Sequence, residues 1–287
     1  MKYLYYPGCS LEGTAREYDI STRGLLGALG IELLEPADWT CCGATAAEAV
    51  SGLLALALPA RVLALAERDH PGLPLLAPCS ACYLNLKKVE EKSRADRAVL
   101  DRINQVLAAE GLELHTPPRV SHLLEVLVTK VPAGRLAEMT RRPLDGLTVA
   151  PYYGCQCLRP YKVFDDPEEP RSMEPFLRAV GAGVHGWEMG SRCCGASHMN
   201  TKPEVGLELV AAILRAARGA DAIVTVCPMC QMNLEGFQGR VSRAAGEDLA
   251  VPVLYLPQLL GLALGLPDQE IRLDLNLAVP KNFTGRR

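Results

Sequence analysis

Short apolar runs and longer amphipathic stretches alternate along this chain. Residues 2–6 (Lys-Tyr-Leu-Tyr-Tyr), 31–34, 73–76, 147–153 and 222–226 are brief and apolar, and they predict strands. Between them, residues 12–30 place Tyr18, Leu25, Leu26 and Leu29 on one helical face and stop at Gly30. Residues 44–69 are rich in alanine and leucine and predict a long helix with a kink at Pro59. Further helices are predicted over residues 83–107, 120–131, 134–140, 175–181 and 203–218. Strands alternating with helices in this way argue for α/β domains with mainly parallel sheets.

The pattern runs through its order twice. A strand enters Pro7-Gly8-Cys9 in the first half and Gly154-Cys155 in the second. Strands also precede Cys79 and Cys227, and the helices that follow open as Tyr83-Leu84-Asn85-Leu86 and Gln231-Met232-Asn233-Leu234. Residues 120–127 resemble residues 254–260. An internal duplication is the economical explanation. Thr116-Pro117-Pro118 reads as a turn and Arg141-Arg142-Pro143 as a linker, which divides the chain into domains 1–143 and 144–287.

Cysteine placement sharpens this picture most. Cys41-Cys42-Gly43 and Cys193-Cys194-Gly195 each have a lone cysteine upstream (Cys9, Cys155) and a C-x-x-C pair downstream (Cys79/Cys82, Cys227/Cys230). Corresponding cysteines lie 146 (Cys9 to Cys155) to 152 (Cys41 to Cys193) residues apart. Ten of the eleven cysteines thus form two sets of five, with Cys157 left over, a packed thiol in preference to a sixth ligand. Clustered thiolates are soft ligands suited to zinc or iron–sulfur centres. Tetrahedral zinc or an ordinary cubane uses four, so a fifth is in excess: it bridges two irons, exchanges, or stands idle. Adjacent cysteines chelate one ion poorly but reach neighbouring metals easily, and Gly43 and Gly195 give the backbone access to positive φ beside a bulky core. A thioredoxin-type redox pair competes for each C-x-x-C taken singly.

Composition narrows the class. The 287 residues are 49% hydrophobic with a formal net charge of −3, and no basic tract is interleaved with aromatics. A globular protein without a nucleic-acid partner is expected. Residues 1–9 lack the features of a signal peptide, and the longest apolar runs (53–66, 251–266) are interrupted by Pro59, Arg61 and Pro257 and fall short of the ~20 residues that span a bilayer. These points predict no membrane span and a cytoplasmic protein. In a reducing compartment such cysteines serve as metal ligands or redox groups rather than structural disulfides.

Together, Tyr152-Tyr-Gly-Cys-Gln156, residues 164–168 (Phe-Asp-Asp-Pro-Glu), Cys193-Cys-Gly-Ala-Ser197 and Cys227-Pro-Met-Cys-Gln-Met-Asn233 resemble the second domain of the heterodisulfide reductase B subunit. The tandem cysteine pattern resembles the CCG domains of that family and of its bacterial relatives, across essentially the whole chain. The resemblance implies two duplicated Rossmann-like domains related by a pseudo-twofold axis. It implies two non-cubane [4Fe–4S] clusters, one on Cys9, Cys41, Cys42, Cys79 and Cys82, the other on Cys155, Cys193, Cys194, Cys227 and Cys230, with no flavin in this chain. It also implies a ferredoxin-like C subunit and a flavin-containing A subunit as partners. The substrate would be a small disulfide, a thiol or a persulfidated carrier.

The reaction expected is reductive cleavage of a disulfide, or thiol oxidation in reverse. Iron–sulfur donors deliver single electrons while a disulfide needs two, so two centres flanking one S–S bond match supply to demand. An electron-transfer or docking subunit that touches no substrate is the alternative, and a zinc-stabilised scaffold is a third. His198, four residues after Cys194, is the candidate proton donor. Arg159, Lys162 and Arg192 are candidate contacts for an anion or solvated surface charges. His122 and His185 read as structural, and Asp165-Asp166 as a loop or helix cap.

Overall fold

The computed structural model of the chain describes residues 1–44, 46–280 and 283. Its strands are β1 (Lys2–Tyr5), β2 (Glu32–Leu34), β3 (Leu75–Ala77), β4 (Val120–His122), β5 (Thr148–Tyr152), β6 (Gly183–Val184), β7 (Ala222–Thr225) and β8 (Val253–Tyr255). They form two four-stranded sheets, ordered β2-β1-β3-β4 and β6-β5-β7-β8, with every pairing parallel. The same order in both halves is the structural form of the duplication. Parallel pairing follows from the helices between successive strands, which cover the sheet faces and leave central strands such as Leu75–Ala77 buried on both sides.

Six helices bear on the argument: α1 (Arg16–Ala28), α2 (Leu54–Asp69), α3 (Ser80–Ala95), α4 (Pro203–Ala216), α5 (Pro228–Gly236) and α6 (Leu256–Leu264). The predicted helix over 44–69 is two pieces, Ala47–Val50 and α2, with the break upstream of Leu54 and not at Pro59, which α2 passes through. The predicted helix over 83–107 divides at Asp96, whose carboxylate accepts from the Ala98 amide and starts a new helix. Residues 120–122, expected to be helical, are β4. Here the apolar pattern passes from strand to helix without a polar break, and the switch is set by the His122 side chain capping the next helix together with Glu125.

One hydrophobic core crosses from the first half to the second. Leu25 and Leu26 of α1 belong to the same buried cluster as Leu256, Leu259, Leu260 and Ala263 of α6. Full burial of each such leucine is worth about 1.5–3 kcal/mol, so separating the halves would expose a costly face. Two aromatic stacks span the same boundary: Tyr18 on Tyr255, with centroids 4.1 Å apart, and Phe164 on His122, 6.4 Å apart. Tyr18 and Phe164 each stand nine residues after their lone cysteine, and His122 and Tyr255 each end the last strand of their sheet. The two stacks are therefore reciprocal, as a twofold relation between repeats requires.

Candidate metal centres

Each five-cysteine set gathers at the carboxyl ends of its sheet's central strands, the customary location for sites in open parallel sheets. In the first, Cys9 Sγ lies 3.8 Å from Cys41 Sγ, and Cys42 Sγ lies 3.3 Å from Cys82 Sγ. In the second, Cys194 Sγ lies 3.6 Å from Cys230 Sγ. Among the described residues, no group of three or more Cys, His, Asp or Glu side chains is arranged to hold one metal ion; the sulfurs meet pairwise instead. Both sets are open on one side: Cys9, Cys41 and Cys193 are exposed, while Cys42, Cys79, Cys82, Cys194, Cys227 and Cys230 are buried.

The two loops are built with the same parts. Tyr6 and Tyr152, each three residues before the lone cysteine, donate to the carbonyls of Thr40 (2.7 Å) and Arg192 (2.6 Å), just ahead of Cys-Cys-Gly. Asn85 of α3 and Asn233 of α5 donate to the carbonyls of Cys42 (3.0 Å) and Cys194 (2.6 Å). The amides of Gly43 and Gly195 lie 3.4 Å from Cys41 Sγ and Cys193 Sγ, and both glycines adopt positive φ (72° and 77°). Gly8 and Gly154 do so too, and a Cβ there would lie 2.9 Å from Cys82 Sγ or 3.0 Å from Cys230 Sγ. Glycine is what lets the backbone lie this close to the sulfurs.

Crowded thiols share protons, and their acidities separate accordingly. Hydrogen bonds from Cys41 and then Cys82 pull Cys42 down to about 4. Cys155 pulls Cys193 down to about 6, helped by the Gly195 amide and by nearby His198 and Arg159. Cys230 pulls Cys227 down to about 7. The donors Cys41, Cys82, Cys155 and Cys230 rise in turn. Thiolate is therefore accessible at neutral pH in both sets, which is the form a metal requires. Five thiols per set with accessible thiolate, glycine cradles that keep Cβ atoms off the sulfurs and an open side together fit an iron–sulfur core. The fifth donor is in excess of what a tetrahedral ion takes.

The remaining candidates fall in different places. His198 is exposed on the single turn Ala196–His198 after Gly195, close enough for its charge to reach Cys193. Arg159 is engaged by Glu168 (2.8 Å), the Ser191 carbonyl (2.6 Å) and the Pro167 carbonyl (3.3 Å), and Lys162 by Asp166 (3.0 Å), so neither is free to take an anion. Arg192 is exposed, and what it gives the loop is its carbonyl. Asp165 and Asp166 accept the amides of residues 166, 168, 169, 171 and 172 and act as a loop cap. His185 bonds the Ala216 carbonyl and is structural. Cys157 is buried, with its thiol pushed up to about 12 by burial, and donates to the Tyr153 carbonyl.

Three residues gain importance only from the fold. The Tyr18 hydroxyl reaches both the Pro78 carbonyl (3.1 Å) and the Val226 carbonyl (3.0 Å), immediately before Cys79 and Cys227. Ser80 Oγ lies 3.2 Å from His122 Nε2 and 3.4 Å from the Val226 carbonyl. No sequence signal marks Tyr18, Ser80 or His122, because each acts across the boundary between the halves.

Comparison with known proteins agrees with this layout. The cysteine-rich domain (CCG) family matches twice, at residues 3–87 and 149–235. The 8-methylmenaquinol:fumarate reductase membrane anchor subunit of Wolinella succinogenes is 37% identical over 280 residues, covering 96% of each chain. A protein of Archaeoglobus profundus named as similar to the B subunit of heterodisulfide reductase is 30% identical, covering 94% of this chain and 93% of that one. The B subunit of the ferredoxin:CoB-CoM heterodisulfide reductase of Methanosarcina mazei is 28% identical, covering 96% and 93%. A crystal structure of a hypothetical protein from Helicobacter pylori superimposes with a TM-score of 0.79 at 18% identity, over 98% of this chain. This chain spans about half (52%) of that protein, and the likeness speaks to fold alone.

Proposed function

Because the chain belongs to the cysteine-rich domain (CCG) family, as a tandem repeat like that of heterodisulfide reductase B subunits, we propose that it is the disulfide-reducing iron–sulfur subunit of a larger oxidoreductase. The observation that carries this reading is that both five-cysteine sets are complete and open on one side. Cys9, Cys41, Cys42, Cys79 and Cys82 would hold one centre; Cys155, Cys193, Cys194, Cys227 and Cys230 would hold the other. When bound, such non-cubane [4Fe–4S] centres supply electrons one at a time to an S–S bond.

The chain's own residues do the positioning. Tyr6, Tyr152, Asn85 and Asn233 fix the two Cys-Cys-Gly loops against their sheets. The buried thiols keep water from the inner side of each set, while exposed Cys9, Cys41 and Cys193 leave an outer side open to a sulfur compound. Cleavage takes two electrons and two protons per disulfide and yields two thiols. His198, beside Cys193 and exposed, is placed to hand a proton to a departing thiolate. A flavin-containing subunit and a ferredoxin-like subunit would supply the electrons.

A second reading is favoured by the 37% identical relative, whose name places it in a quinol:fumarate reductase. There the chain would carry electrons within a quinol-linked complex and touch no disulfide. Among the described residues no helix is long and apolar enough to cross a membrane. Anaerobically reconstituted protein, reduced and offered small disulfides or a quinone analogue, separates the two. Thiol release with reoxidation of the chain's visible absorption supports the first. Reoxidation by the quinone alone supports the second, and zinc without iron ends both.

A further inference from the structure

The cysteine sets match in sequence, but what lies behind them does not. Behind the second set runs a buried row of hydrogen bonds. The Tyr255 hydroxyl donates to Gln231 Oε1 at 3.2 Å, and Gln231 Nε2 donates to Glu235 Oε2. The other carboxylate oxygen of Glu235 accepts the Ala278 amide at 2.8 Å. Gln231 follows Cys230 in the chain, and the Tyr255 ring stacks on Tyr18, whose hydroxyl bonds the carbonyl just ahead of Cys227. The residue before Tyr18 is a second buried acid, Glu17. Glu17 and Glu235 are only 5% and 6% exposed, and among the described residues neither forms an ion pair. The cation that acts on Glu17, Arg272, is itself held by Asp274 through two bonds of 2.8 and 2.9 Å. Burial without a bonded counter-charge disfavours an ionised carboxyl. It raises Glu235, and it raises Glu17 to about 7 with Glu235 adding to the effect.

The twofold-related place behind the first set is built differently. Glu17 stands eight residues after Cys9, and the residue eight after Cys155 is Val163. Glu235 stands five residues after Cys230, and the residue five after Cys82 is Lys87. Lys87 is paired with Glu90 at 2.9 Å and Glu91 at 3.1 Å. Glu90 also holds Arg94, and the buried Glu125 holds Arg119. His122, the counterpart of Tyr255, is pushed down to about 3 by burial and stays neutral. Buried carboxyls behind the first set are therefore ion-paired, whereas those behind the second are not.

We propose that Glu17 and Glu235 form a buried proton acceptor for the second centre: when that centre gains one electron the pair takes one proton from water, and on reoxidation both leave. The electron comes from a low-potential one-electron donor, the supply the proposed function already calls for. Negative charge added at the sulfurs is weakly screened inside the protein, so it favours the protonated form of a nearby carboxyl. The first centre has no such partner, and its reduction leaves the protonation behind it unchanged. This inference rests on the proposal that both sets hold iron–sulfur centres.

The test is a potentiometric titration of the anaerobically reconstituted full chain across pH ~6 to ~8, followed by electron paramagnetic resonance, with iron and sulfide assayed in parallel. The wave lost in Cys194→Ala should move to lower potential as pH rises, by up to about tenfold in the reduction equilibrium per pH unit, while the other wave stays level. Glu17→Gln/Glu235→Gln should level the second-set wave. His198, exposed beside Cys193, is the other titrating group facing that centre, and His198→Gln should keep the slope. A second-set wave that is level in wild type, a slope that survives the double carboxyl variant, or a slope lost in His198→Gln overturns the inference while the proposed function stands. Equal slopes for both waves do the same, and zinc in place of iron overturns both proposals. If the double variant fails to hold iron, infrared difference spectra of wild type and Glu17→Gln decide instead. Reduction must bring in a carboxyl C=O band that shifts in D2O and weakens in Glu17→Gln, and a spectrum without that band overturns the inference.

Discussion

Replacing Gly8 by alanine tests whether the first sulfur cradle is as tight as its backbone implies. Gly8 has φ of 69°, a conformation that costs a non-glycine residue about 1–2 kcal/mol, or roughly a 5- to 30-fold loss in the folded population. The added Cβ would meet Cys82 Sγ at 2.9 Å. Relaxed contacts begin near ~3.5 Å, so the sulfur must retreat by ~0.6 Å, beyond the ~0.5 Å within which a site keeps its working geometry. The Cys82 sulfur has little room to move, because Cys42 bonds to it at 3.3 Å and its helix α3 is anchored to the loop by Asn85. Gly8→Ala should therefore lose the first centre and keep the second, roughly halving iron and sulfide per chain. Gly154→Ala makes the equivalent contact at 3.0 Å, a displacement of ~0.5 Å, and should damage the second set less. Iron and acid-labile sulfide analysis with visible spectroscopy reads both. Full iron in Gly8→Ala, with the wild-type spectrum, would refute the reasoning.

Other outcomes follow from the same geometry. Burial, with Glu235 nearby, raises Glu17 to about 7 against an ordinary 4.5. The folded state then holds a proton that the unfolded state has released, so stability present below pH 4.5 is lost as pH rises through 7. Glu17→Gln should match wild type near pH 4.5 and exceed it by about 2–3 kcal/mol at pH ~8 in urea unfolding; equal differences at both pH values would contradict this. Tyr18→Phe removes the hydroxyl shared by Pro78 and Val226 and should cost about 1–3 kcal/mol, read as a lower melting temperature; no change would show that the bridge is dispensable. Asn233→Ala should weaken the second centre and Asn85→Ala the first, each seen as selective iron loss on dilution, whereas loss of both centres in either variant would argue against separate cradles. Cys157→Ala should keep wild-type iron, since that thiol donates to the Tyr153 carbonyl; iron loss would place it among the ligands.

Much of the fold is legible in the chain because each local signal is unopposed. The strands before Cys9, Cys79, Cys155 and Cys227 are apolar runs ended by turns or helix starts, and all four are present. β4 and β8 escape the pattern because three-residue strands pass directly into helices with no polar break, and side chains of the capping residues set the switch. Proline is the louder signal and draws the expected helix break to Pro59, but a helix can run through one, and Ser51-Gly52 ends it earlier. The matching asparagines of the two halves are visible as a repeated word. Their task of holding the Cys-Cys-Gly carbonyls becomes clear only in three dimensions.

By itself the sequence determined the cysteine inventory, its division into two sets of five, the α/β class and the duplication, since these rest on residue type and spacing along one chain. Tertiary structure decided what lies between the sets. Ser80 and Tyr18 meet Val226, and Phe164 meets His122, across separations that no periodicity encodes. Those meetings arise because α1 and α6 bury a common apolar face and draw the carboxyl ends of the two sheets together. A duplicated sequence predicts equivalent halves, yet packing places serine on one side of that boundary and proline on the other.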